Sequence, residues 1–365
     1  MKHNSSVHNQ GGQNGAGATI AATATALPQY ELTRESVRYY LDRVFPLQGV
    51  RLEAMQAIVE NSQIERRFCI HPVEFIVEPR PLEELSKDYI ENSVELGQRV
   101  AEDCLKRAGC GPRDIDLLIT VSCTGFMIPS LDAHLINRMG FRCDVRRLPM
   151  TELGCAAGAA GLARATEFLR AFPGANALLI SVELPSLTFQ RRDISQANLI
   201  SSILFGDGAA AALVSGNGAS GPRLLDTRSY TFPDSLAAMG FDLKNSGFHI
   251  VLSRDVPDLI RGKIKELVTS FLGSHGLRQE EMAAFVLHPG GQKLLRYIEE
   301  ELGLPRELTQ PSWDVLRDYG NLSSASVLFV LHEWLAKGKL VPGDYGLLAA
   351  FGPGFTAELL LAQWS

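Results

Sequence analysis

The chain repeats its own plan. A short, nearly all-apolar run at 116–122 ends 33 residues before Cys155, and another at 283–288 ends 33 residues before Asn321. Cys155 and Asn321 each open a stretch of small residues with helical character: Cys155-Ala156-Ala157-Gly158-Ala159-Ala160-Gly161 and Asn321-Leu322-Ser323-Ser324-Ala325-Ser326-Val327. Each stretch leads to a further apolar run, 177–183 in the first case and 346–351 in the second, and 209–214 reads the same way. Runs of this kind, alternating with helical patterns, mark strands buried on both faces between helix layers.

Two halves with one order of elements imply an α/β fold built by duplication, an α-β-α-β-α five-layer sandwich with pseudo-twofold symmetry. A helix of Ala, Gly and Ser has little apolar surface for an outer layer but lets neighbouring backbones approach closely, so both small-residue helices belong in the middle. Amphipathic helices are expected over 82–108 and 256–274. With 365 residues and 45% hydrophobic composition the chain can bury two large units. The expected organisation is a disordered tail over 1–17, an N-terminal half over 18–218 carrying the cysteine, and a C-terminal half over 219–365 carrying histidine and asparagine. The boundary falls in the Gly- and Ser-rich stretch 215–222.

Several function classes are disfavoured. Net charge is −6, and no Lys/Arg run reaches the density that phosphate-backbone binding needs, so nucleic acid is not an expected partner. Nowhere do about 18 consecutive apolar residues occur, which argues against a membrane span. The first residues are rich in Asn, Gln, Gly and Ser and have no apolar core of a signal peptide, so a cytoplasmic location is expected.

The cysteines are Cys69, Cys104, Cys110, Cys123, Cys143 and Cys155, with no CxxC pair and no histidine at ligand spacing. Neither a zinc site nor a disulfide framework is indicated, and a free cysteine is ordinarily a small buried hydrophobe. Cys155 differs in its setting, because a helix start supplies orphan amide protons and a positive dipole end that stabilise a thiolate. A histidine completes such activation. Of the eight histidines only His288 ends a core run, and it is followed by the turn Pro289-Gly290-Gly291. Asn321 at a helix start reads equally well as an N-cap. Its amide beside an imidazole N–H would also offer two neutral donors to a thioester oxygen becoming an enolate, and the two roles are compatible.

Five motifs then become specific together: Gly154-Cys155-Ala156-Ala157-Gly158, Phe205-Gly206-Asp207-Gly208-Ala209-Ala210, His288-Pro289-Gly290-Gly291, Tyr319-Gly320-Asn321-Leu322-Ser323-Ser324 and Phe351-Gly352-Pro353-Gly354. In type and order, across about residues 18 to 365, the chain resembles chalcone-synthase-like type III polyketide synthases of the thiolase fold. The resemblance implies that Cys155 accepts an acyl starter from acyl-CoA, while His288 and Asn321 decarboxylate malonyl-CoA and hold the resulting enolate. Phe205 corresponds to the family's gatekeeper aromatic. Cys123, Thr188, Met239, Phe248 and Ser323 fall where family members line the acyl pocket, and Ile128 matches the residue that reaches into a partner's cavity, implying a homodimer. No metal or organic cofactor is implied.

Departures from the plant pattern narrow the resemblance. Ala54, Ala57 and Asn61 stand where plant members carry basic residues near the CoA phosphates, so an acyl carrier protein is an alternative starter donor. Pro185 in Glu183-Leu184-Pro185-Ser186 and the stretch Met239-Gly240-Phe241-Asp242 look more like bacterial alkylpyrone and alkylresorcinol synthases. The competing readings are a ketoacyl-carrier-protein synthase III, against which the His288-Pro289-Gly290-Gly291 turn counts, and an acyl-binding protein without chemistry.

Overall fold

The computed structural model describes residues 17–365, so all but Gly17 of the expected tail lies outside them. Each apolar run forms a buried strand: Leu117–Val121, Asn176–Glu183, Gly208–Ser215, Met282–Leu287 and Tyr345–Gly352. The first half orders its strands Thr19–Ala26, Gly208–Ser215, Asn176–Glu183, Leu117–Val121 and Arg146–Met150. The second orders them Arg223–Thr231, Thr356–Gln363, Tyr345–Gly352 and Met282–Leu287. Outward from the first strand, the pairings run antiparallel, antiparallel, parallel in both halves. The repeat is therefore a repeat of topology, and the two sheets join at a single pair, Thr19 with Arg223.

Alternate residues of a strand face opposite ways, and here they enter different cores. Leu117, Ile119 and Val121 pack into a middle core with Leu162 of the helix Ala157–Ala171 and Val327 and Leu331 of the helix Ser326–Lys337. Leu118 faces the other way, onto Val100 and Leu135 of the helices Leu82–Ala108 and Leu131–Met139. In the second half Ala284 and Val286 face the middle, whereas Phe285 and Leu287 face the helices Ile264–Gly273 and Gln292–Leu302. Three cores divided by two sheets make the five-layer thiolase-like sandwich expected from the sequence. Within the middle layer, a Cβ at Gly158 would stand 2.2 Å from the carbonyl oxygen of Ser324, so only glycine permits the approach.

Two expectations need correction. The helix expected over 256–274 is two helices, Val256–Arg261 and Ile264–Gly273, interrupted at Gly262 and Lys263. Glycine is a poor helix former, yet Ile260 and Ile264 are both buried, so the apolar period continues across the break and conceals it. Nor does Asn321 match Cys155 position for position. The turns that lead into the two middle helices are Gly154–Ala156 and Ser323–Ala325, which aligns Cys155 with Ser324 and Gly154 with Ser323. The latter pair share left-handed backbone, with φ of 48° and 50°. Asn321 lies just before its turn, in a single parallel bridge to Phe205. The equal intervals conceal this offset because the second half has the helix Gln310–Tyr319 and that bridge where the first has the strand Arg146–Met150.

A further cluster sits over the sandwich. Val37 and Leu41 of the helix Arg34–Val44, Phe45 just after it, and Met55 and Val59 of the helix Gly49–Asn61 pack on Leu199 and Ile203 of the helix Gln196–Leu204. Among the described residues no helix is long and apolar enough to cross a membrane.

Candidate active site

Cys155 occupies the 3-10 turn that opens the middle helix, where the sequence placed it at a helix start. It is 6% exposed, and its thiol donates to Ser323 Oγ at 3.5 Å. Burial pushes this thiol up to about 12, against which the Ser323 contact acts. His288 follows the strand Met282–Leu287, its backbone tied to Ala349 O at 2.9 Å. The ring is buried, Nδ1 has no partner, and burial lowers its pKa to about 3. Burial thus disfavours the charged form of each group taken alone.

Asn321 joins the two. Its Oδ1 accepts from Ser323 N–H at 2.8 Å and Ser326 Oγ–H at 3.4 Å, a local turn of the kind asparagine favours before a helix. Its Nδ2 donates to Gly290 O at 3.3 Å, in the turn that follows His288. Asn321 is not the N-cap expected from the sequence, since Leu322 caps the turn and Ala325 the helix; its oxygen instead closes a turn one residue earlier, while its nitrogen faces the histidine turn. Phe205 is held to the same residue: Asn321 N–H donates to Leu204 O at 2.8 Å and Gly206 N–H to Asn321 O at 3.0 Å.

Beside these groups lies a cavity of about 380 Å³. Cys155, Phe205, Cys123, Thr188, Met239, Phe248 and Ser323 all line it, whereas His288 and Asn321 lie behind that lining. Ile128 is outside it and 82% exposed, whereas Phe126, 63% exposed, lines it. Sequence reasoning missed one entire wall, made by Leu32, Val37, Leu41, Val44, Val73 and Ile76. No motif marks it, because these residues read as an ordinary amphipathic face.

A polar cluster beside Cys155 was also missed. Glu183 ends the strand Asn176–Glu183 fully buried, accepting Cys123 N–H at 3.1 Å and Thr124 Oγ–H at 2.8 Å, and bonded to Ser324 Oγ. Burial raises its pKa, and Cys123 Sγ lies 3.5 Å from its carboxyl and 3.4 Å from Ser323 Oγ. Burial and the neighbouring carboxyl hold the Cys123 thiol well above its ordinary range. The available signal was a lone glutamate closing an otherwise apolar run. Among the described residues no group of three or more His, Cys, Asp and Glu side chains is placed to hold a metal ion.

Residues 5–218 match the family model for chalcone and stilbene synthases, N-terminal domain, and residues 225–364 match that for the C-terminal domain. The chain is 36% identical over 353 residues to a 1,3,6,8-tetrahydroxynaphthalene synthase of Streptomyces peucetius subsp. caesius, covering 95% of this chain and 93% of that one. It is 31% identical over 349 residues to a phloroglucinol synthase of Pseudomonas fluorescens, covering 95% and 99%. The crystal structure of the 1,3,6,8-tetrahydroxynaphthalene synthase from Streptomyces coelicolor A3(2), a bacterial type III polyketide synthase, matches with a TM-score of 0.92 at 35% identity, over 95% of this chain and 99% of that one. Matches over both halves show that the chain belongs to the chalcone and stilbene synthase family, the type III polyketide synthases, which are condensing acyltransferases.

Proposed function

We propose that the enzyme loads a fatty acyl starter from acyl-CoA onto Cys155, extends it with malonyl-CoA and closes the chain to an alkylpyrone or alkylresorcinol. In the loading step Cys155 gives its proton to His288, its sulfur attacks the acyl carbonyl, and the departing CoA sulfur takes that proton, which leaves the imidazole neutral. Burial disfavours either charge alone, so thiolate and imidazolium form as a coupled pair. In extension the C–C bond to the malonyl carboxylate breaks, carbon dioxide leaves, and the enolate oxygen is held by N–H donors of His288 and Asn321. The enolate carbon then attacks the acyl thioester, a new C–C bond forms and Cys155 sulfur leaves. Phe205 presents an apolar face to the malonyl carboxylate, which favours its loss as neutral carbon dioxide.

This chemistry needs no metal or organic cofactor, since neutral N–H donors carry the developing charge. The observation that supports a fatty starter is the apolar wall of Leu32, Val37, Leu41, Val44, Val73 and Ile76 facing Cys155 across one cavity. A homodimer joined around Ile128 fits the exposure of that residue and Phe126. A cytoplasmic enzyme with an acyl carrier protein as alternative starter donor completes the reading. A second reading is assembly of a polyhydroxylated aromatic ring from short units, favoured by the likeness to the tetrahydroxynaphthalene and phloroglucinol synthases. Mass spectrometry of products formed from malonyl-CoA and saturated acyl-CoAs of graded length separates the two. Incorporation of long acyl chains supports the first reading, and products indifferent to added acyl-CoA would replace it with the second.

A further inference from the structure

Arg67 is an uncommon residue to find where it is. It lies in the strand Arg66–Cys69, only 3% exposed, and a buried guanidinium is retained only where it is paired or hydrogen-bonded. Its Nη1 donates to two carbonyls at the end of the helix Gln196–Leu204, Ser202 O at 2.8 Å and Phe205 O at 2.6 Å, where the helix dipole is negative. Its Nε and Nη2 have no protein partner. Arg67 borders both the main cavity and a second small one of about 10 Å³, room for one water.

The methylene stem is equally constrained. A Cβ at Gly320 would stand 2.9 Å from Arg67 Cγ, and one at Gly206 3.1 Å from Arg67 Cβ. Those glycines flank the bridge that joins Phe205 to Asn321. The same strand is fastened to the loop from the other side, since Asp207 N–H donates to Phe68 O at 2.8 Å and Asp207 Oδ2 accepts Ile70 N–H at 2.9 Å. Arg67 thus hydrogen-bonds the backbone of the aromatic gate and packs its stem against the glycine before the amide donor, without hydrogen-bonding to Cys155 or His288.

We infer that Arg67 is a positioning residue for the decarboxylative half of the reaction: it sets the Phe205–Asn321 bridge, and starter loading on Cys155 does not depend on it. This inference rests on the roles proposed above for Cys155, Phe205 and Asn321. Arg67→Met keeps the stem and removes the fork, and Arg67→Lys keeps the charge without reaching two carbonyls. Each variant is assayed for acyl transfer to Cys155 from a saturated acyl-CoA by intact-protein mass, and for carbon dioxide release from malonyl-CoA. Displacement of reacting groups by about 1 Å lowers rate about 10²-fold, so Arg67→Met is expected to lose about that much kcat for decarboxylation with little change in KM. Acyl loading should remain within about twofold of the parent, and Arg67→Lys should show the same split to a smaller degree. Decarboxylation at the parent rate, or loading and decarboxylation falling in parallel in protein with a native circular dichroism spectrum, would overturn the inference. If Arg67→Met does not fold, Arg67→Lys carries the same comparison. Failure of the underlying roles is separately visible, because the parent enzyme would then neither load Cys155 nor decarboxylate malonyl-CoA.

Discussion

Asn321 does two jobs through two atoms, and one substitution separates them. Its Oδ1 accepts Ser323 N–H at 2.8 Å, so Asn321→Asp keeps the acceptor that closes the turn before the middle helix. What the variant loses is the Nδ2–H donor, together with its bond to Gly290 O at 3.3 Å. The structural loss is one neutral hydrogen bond of marginal length, about 1 kcal/mol. The catalytic loss is that of an oxyanion donor, about 2.7–4 kcal/mol or 10²–10³-fold in kcat. A carboxylate at this position also repels the enolate, so residual decarboxylation by N321D should fall further as rising pH ionises the introduced carboxyl group. The assay is acetyl-CoA formation from malonyl-CoA at several pH values, with thermal unfolding measured in parallel. Asn321→Ala, which strands the Ser323 N–H as well, should lose stability and decarboxylation together. If N321D decarboxylates within about threefold of the parent, Asn321 closes a turn and nothing more, and the enolate role assigned to it is wrong.

Two further outcomes are expected. Cys155→Ala should abolish acyl loading yet retain measurable malonyl-CoA decarboxylation, because the enolate donors remain; complete loss of both in a folded variant would contradict the division of roles. Burial pushes the Asp207 carboxyl up to about 6 from an ordinary 3.8, so the native state binds its proton more tightly than the unfolded chain does. Its contribution to stability is fully present below about pH 4 and lost as pH rises through about 6, a change of up to about 3 kcal/mol. Urea unfolding of Asp207→Asn, which has no such proton to lose, should show a smaller fall between those pH values than the parent, and an equal fall would refute the assignment.

Much of this fold was legible because its two halves say the same thing twice. The buried strands have unbroken apolar runs, and the cysteine and histidine stand at element ends where any reader of the pattern would look. The Thr356–Gln363 strand was not singled out, since polar residues interrupt its apolar stretch, and its place in the sheet depends on pairing with Arg223–Thr231, far away in sequence. The offset between Asn321 and Cys155 was hidden for a related reason: interval counting cannot see that one half spends residues on a helix where the other spends them on a strand. Glu183 and the wall of Leu32, Val37 and Ile76 were invisible for a third reason. Their importance lies in what they face, and the Glu183 partners Cys123, Thr124 and Ser324 come from three-dimensional proximity that no local pattern encodes. Arg67 belongs with them: in the pair Arg66-Arg67 a solvated face or a CoA-phosphate contact is the natural expectation, yet Arg67 is buried on backbone carbonyls that only the fold brings to it.

The most direct test of the account asks which thiol holds the acyl chain. Cys155 and Cys123 both line the cavity and both approach Ser323 Oγ, at 3.5 and 3.4 Å. Only Cys155 stands at the start of the middle helix. Brief incubation with a saturated fatty acyl-CoA, acid quench and peptide mass mapping should find the acyl mass on the peptide containing Cys155 and none on that containing Cys123. Acylation of Cys123 instead, or an unmodified Cys155 in enzyme that turns over, would contradict the central claim.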